Sequence, residues 1–151
     1  MVLASLLFGI GLGIYFGIAE DSIKMFIKEG IAAHPTLHDT KSADKLWRYV
    51  QRAHFHASGI SGFSIGLIIL VVLSSLRRNV KTITAILIGL GGLYPLSWFS
   101  MFLLGPSIGR SAAHDHFITE FLVYVGTGGL LIGIGILCAN ILLGSLSQKR
   151  G

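Results

Sequence analysis

Phe117-Ile-Thr-Glu-Phe-Leu-Val-Tyr-Val-Gly-Thr-Gly-Gly-Leu-Leu-Ile-Gly-Ile-Gly-Ile-Leu-Cys-Ala-Asn-Ile-Leu-Leu143 decides the fold. Glu120 is the only charge in this run. About 20 apolar residues in a helix cross the hydrocarbon core of a bilayer. This run exceeds that length, so it predicts a tilted membrane span. Three more runs follow the same rule: residues 2–19, 53–76 and 82–104. The uncharged part of the second starts at residue 57, and its helix reaches back to about Lys45. Pro95 lies inside the third and predicts a kink there.

The composition agrees with that reading. Of 151 residues, 52% are hydrophobic and only 13% are charged. A soluble domain carries about 25% charge. The predicted fold is therefore all-α: an integral membrane four-helix bundle forming one domain over residues 1–151. Residues 2–19 lack the basic start and small-x-small site of a signal peptide, so they read as a retained span.

The connection 20–52 is too long for a turn. Ile23, Phe26, Ile27 and Ile31 recur at helical spacing between Lys24, Lys28 and Glu29. That pattern predicts a short amphipathic helix at the interface between spans one and two. Pro35 ends it or starts the following loop, and Asp44 is the candidate cap of the next helix.

Four spans place both termini on one side. Arg77, Arg78, Lys81, Lys149 and Arg150 fall there without an acid. The opposite side receives all seven acids, all six histidines and the remaining seven bases. Arg77-Arg78-Asn79-Val80-Lys81 is dense, and long loops weigh less in setting topology. The expectation is a bacterial-type inner-membrane protein with cytoplasmic termini and the histidines on the outer face. The pI near 9.7 then records topology. The bases form no patch with interleaved aromatics, so no nucleic-acid partner is expected. Cys138 is the only cysteine, which excludes an internal disulfide and a Cys-x-x-Cys-His haem attachment.

Two His-x-His pairs, His54-Phe-His56 and His114-Asp-His116, stand where spans two and four begin. Ionisable groups at such positions mark functional sites. On a helix, His54 and His56 point about 200° apart, so both cannot reach one ion. Ser58, Gly59, Gly62 and Gly66 fall on the arc between them. Gly9, Gly13 and Gly17 make a similar small-residue row on span one. Close helix packing is the plain reading of such rows, and a flat ligand lying against them is the sharper one. His116, Glu120 and Tyr124 share a face. Glu120 serves there either as a direct ligand or as the group that fixes the His116 tautomer. His34 and His38, around Pro35, read as exposed loop residues.

The candidate cofactor and metal ligands are therefore His54, His56, His114 and His116, with Glu120 added for a metal ion. One histidine from span two and one from span four suit a b-type haem, and a bundle core is a natural container for one. A copper or zinc ion on the outer face is the alternative. A third possibility is a non-catalytic subunit whose glycine-rich faces pack on partner helices. No nucleophile–base arrangement, phosphate loop or His-Glu-x-x-His is present, so a redox carrier or subunit is expected before a stand-alone enzyme. Its partners are the lipid bilayer and either further copies or a larger membrane complex.

Gly11-Leu-Gly-Ile-Tyr-Phe-Gly-Ile-Ala-Glu-Asp21 with Arg52-Ala-His-Phe-His-Ala-Ser-Gly59 resembles the opening of small membrane proteins related to haem–copper oxidase subunit I. The resemblance covers the first two helices and implies haem ligation by one histidine of the His54/His56 pair. The link between the helices is longer here, and His114 and His116 have no counterpart among the family's ligands. Arg52-Ala53-His54 is also similar to the second helix of the four-span membrane glutathione transferase and eicosanoid-enzyme family. His56 and Gly59 replace the Asn and Glu of that pattern, so its thiol-binding residues are missing.

Overall fold

The computed structural model describes residues 1–143, and Lys149 and Arg150 lie outside them. Within that range the chain is helical and contains no strand. The α-helices are α1 (Val2–Ala33), α2 (Ser42–Leu73), α3 (Arg78–Leu90), α4 (Tyr94–Ile108), α5 (Arg110–His114) and α6 (Phe117–Leu143). A 3-10 turn, Gly91–Leu93, joins α3 to α4. Four stretches are long and apolar enough to cross a membrane: Val2–Ala33, Ser42–Leu73, Arg78–Ile108 and Phe117–Leu143.

The amphipathic segment expected as a separate short helix is instead the second part of α1. The helix continues across a kink at Ala19, where φ is −137° and ψ is 32°. Ile23 and Ile27 turn inward and are buried, while Phe26 stays exposed. They join Leu12, Leu46, Val50, Ala53 and Phe102 in one apolar core. The polar stretches of α1 and α2 thus pack on each other instead of lying apart.

Other boundaries move by a few residues. The second span ends at Leu73, because Ser74 turns out of the helix with φ −66° and ψ 168°. The dense basic stretch Arg77–Lys81, which reads from the sequence as a tight turn between spans two and three, is the cap and first turn of α3, which begins at Arg78. Asp44 does not cap α2; it lies within the first turn. Asp39 organises that corner. Its Oδ1 accepts from the Lys41 N–H at 3.0 Å and the Ser42 hydroxyl at 2.9 Å.

Pro95 interrupts the α-helical hydrogen bonding of the third span. The ring has no N–H to offer the carbonyl four residues back. That carbonyl, on Gly91, accepts from the Tyr94 N–H instead, which tightens the chain into the 3-10 turn. At the far end of α4, Gly109 adopts φ +83° and donates its N–H to Gly105 O at 3.0 Å. Only glycine adopts that conformation without strain, so the chain reverses there into α5.

The helix contacts explain part of the glycine pattern. A methyl group on Gly9 would meet Ser58 Oγ at 2.8 Å and Ala57 Cβ at 2.9 Å. One on Gly13 would meet His54 Cε1 at 2.7 Å. Along α6, Gly126, Gly129 and Gly133 bring its backbone against Tyr94, Leu90 and Ile88. These rows are packing surfaces, as small residues permit in lipid. Gly17, Gly59, Gly62 and Gly66 differ: each faces open space. Helix α4 with its 3-10 lead contacts both α2 and α6, and α3 rests on α6.

Candidate functional site

The histidines fall in three places: His34 and His38 between α1 and α2, His54 and His56 within α2, and His114 and His116 where α5 gives way to α6. His54, half-buried on α2, bonds through Nδ1 to the Gly9 carbonyl of α1 at 2.7 Å. Phe16 meets its ring edge-on at 5.5 Å between centroids. Residue His56 bonds through Nδ1 to the Arg52 carbonyl one turn back, at 2.8 Å. Its ring packs against Tyr94 and Trp98 of α4, with centroids 5.3 Å and 5.9 Å away. The pair therefore diverges as the helical angle requires, one ring toward α1 and the other toward α4.

Hydrogen-bond chemistry fixes the tautomers. A carbonyl oxygen only accepts, so Nδ1 of His54 and of His56 carries a proton, and in the neutral ring Nε2 keeps the lone pair. The exposed His114 behaves alike, donating Nδ1–H to Asp115 Oδ1 at 2.7 Å. His116 is the reverse. Its Nδ1 accepts from the Ile118 N–H at 3.3 Å at the start of α6, so in the neutral ring the proton sits on Nε2.

The two ends of the expected two-histidine site are not brought together. His114, Thr119, Glu120 and Tyr124 line a cavity of about 200 Å³ with Tyr94, Trp98 and Met101. Tyr94 and Trp98 receive His56 on α2 as well, so these α4 rings stand between the two sets. The cavity is also smaller than the roughly 300–1,000 Å³ of ligand sites that enclose a drug-sized molecule. A haem held between span-two and span-four histidines does not fit this arrangement. Glu120 is exposed, and only the backbone bond Glu120 N–H to His116 O, at 3.0 Å, links it to His116. Among the described residues, no three His, Cys, Asp or Glu side chains converge to hold a metal ion.

His38 is not the free loop residue expected. It donates Nε2–H to the Pro106 carbonyl at 3.0 Å, which ties the loop to the end of α4. Its neighbour Asp39 pairs through Oδ2 with Arg110 Nη2 at 2.8 Å. The Ser42 hydroxyl on Oδ1, with smaller help from the Lys41 N–H and from Arg110 and Lys45, holds the Asp39 carboxyl below its usual range.

The expectation that the bases form no patch is corrected here. Lys45, Arg48, Tyr49 and Arg52 line one face of α2, and Arg110 meets them from α5 around a polar recess of about 260 Å³. The Arg52 guanidinium lies over Trp98, 4.6 Å from the ring centroid. The spacing of Lys45, Arg48 and Arg52, three and then four residues apart, is the signal that carries this face. The aromatic component was invisible because Trp98 arrives from another helix.

No protein family, curated protein or solved structure matches the chain.

Proposed function

We propose that this membrane protein binds haem b through the Nε2 of His54 or His56 and serves as an electron-transfer subunit. The observation that carries this reading is the bond that each of those two rings makes to a backbone carbonyl. Each gives its Nδ1 proton to a backbone carbonyl, the arrangement that orients an imidazole and leaves Nε2 basic for a metal. The open glycines Gly59, Gly62 and Gly66 lie on the arc between them, leaving a flat surface where a planar group can rest. Haem would supply a one-electron centre there. The protein would supply one axial nitrogen, a fixed ring orientation and an apolar floor. Because that face is open, the covering surface comes from another copy or from a larger membrane complex.

Orientation follows from charge density, with the Arg77–Lys81 end cytoplasmic, the histidine end outside and an inner membrane of bacterial type. The segment after Ala19 lies at the outer interface, packed on α2. A copper or zinc site has thinner support, because no three ligand side chains converge among the described residues. A non-catalytic subunit is favoured only by the same open glycine face.

Protein purified from haem-replete cells should show a Soret band. His54→Ala or His56→Ala should abolish it, and His114→Ala and His116→Ala should leave it intact. Colourless, haem-free wild-type protein would overturn the reading, and bound copper or zinc on elemental analysis would replace it.

A further inference from the structure

We infer that the recess formed by Lys45, Arg48, Tyr49, Arg52 and Arg110 is a binding site for a phosphate group, independent of any haem. Four cations surround about 260 Å³ of polar space. Only Arg110 has an acidic partner, Asp39. Among the described residues, Lys45, Arg48 and Arg52 make no ion pair, leaving a concentrated positive charge at the rim of the molecule. Like charges so close repel one another, and a bound phosphate anion offsets that repulsion.

The donors are also held in place. Arg110 is oriented by Asp39 at 2.8 Å. Arg52 is steadied by the Trp98 face, a contact that leaves guanidinium N–H groups available. Trp98 in turn packs against the half-buried Tyr49 ring, 5.7 Å away. Guanidinium groups match phosphate oxygens in pairs, and the Lys45 ammonium adds a point charge. The recess lies just beyond the apolar part of α2, a height at which either a dissolved phosphate compound or the phosphate of a lipid headgroup arrives. Both present the same chemistry.

The test uses the full chain in neutral detergent and in nanodiscs. In detergent, inorganic phosphate is titrated at constant ionic strength against chloride, with thermal unfolding as the readout. In nanodiscs, retention of phosphatidylglycerol is compared with phosphatidylcholine by mass spectrometry of the released complex. A saturable phosphate effect assigns the site to soluble phosphate compounds. Selective retention of phosphatidylglycerol without a phosphate effect assigns it to lipid. Lys45→Gln with Arg48→Gln should weaken either effect about a hundredfold, roughly tenfold per cation removed. Both side chains are exposed, and Arg48→Gln alone serves if the double variant does not fold. Arg77→Gln with Arg78→Gln, at the other end of the molecule, should leave binding unchanged. The proposal fails if neither effect appears in the wild type, or if the variants at Lys45 and Arg48 bind as well as the wild type.

Discussion

At the scale of single residues, His54 is a tether between helices whatever else it ligates. Its bond to Gly9 O spans 45 residues of sequence. Side-chain hydrogen bonds within membrane proteins contribute about 0.6 kcal/mol on average and up to about 1.7. His54→Ala should therefore lower unfolding free energy by about 1 kcal/mol, measured by denaturing-detergent titration. A loss above about 4 kcal/mol would mean that the ring supports more than this contact. Asp39 gives a pH signature. Its folded carboxyl titrates below its ordinary value, near 3.9, because the Ser42 hydroxyl and neighbouring donors favour the charged form. Its contribution is thus present above the unfolded value and fades as pH falls through the lower folded one. The protection of the Lys41 amide, its exchange rate taken relative to the intrinsic rate at each pH, should fall on going from about pH 6 to about pH 3, and Asp39→Asn should remove that dependence. The candidate ligands were legible one at a time, since His-x-His at a helix mouth stands out in an apolar chain. Their partners were not. Gly9 and Arg52 accept from His54 and His56 through backbone carbonyls, which carry no sequence signal of acceptance. The Arg110 contribution to the basic recess depends on a turn at Gly109 that places it beside α2.

At the scale of helices, apolar length foretold four helices long and apolar enough to cross a membrane, because burial in lipid imposes that length on any span. The break at Pro95 was foretold by the missing N–H. The kink at Ala19 was not, because alanine favours helix and nothing in the residue itself asks for a bend. Glycine rows were ambiguous in sequence and are separated by their surroundings. A Cβ at Gly133 would meet Ile88 Cγ1 at 2.7 Å and the Ile88 nitrogen at 3.0 Å, so α6 must move off α3 to admit it. Gly133→Val should destabilise the fold by about 1–3 kcal/mol. A Cβ at Gly62 meets nothing within 4 Å among the described residues, so Gly62→Leu should leave unfolding of the isolated protein unchanged. If α2 docks a partner there, the same substitution should lower its mass on size exclusion in mild detergent. A Gly62→Leu protein as unstable as Gly133→Val would contradict this division of the glycines.

At the scale of the whole molecule, charge is separated along the long axis. Among the described residues the Arg77 end holds Arg77, Arg78 and Lys81 and no acid, and the histidine end holds all seven acids. That separation sets an experiment on sidedness. In a Cys138→Ser background, Thr36→Cys should react with an impermeant maleimide added to intact cells, and Asn79→Cys should react only after lysis. Reaction of Asn79→Cys in intact cells would reverse the orientation.

The loop between α1 and α2 is fastened at two points, by His38 to the last turn of α4 and by Asp39 to Arg110. A surface connection held this way does not behave as an open hinge. Proteases need several residues of extended, yielding backbone, so cleavage here should require the fasteners to release first. An epitope inserted between Thr36 and Asp39 would thus report on whether this end has folded, as well as on which side of the membrane it lies.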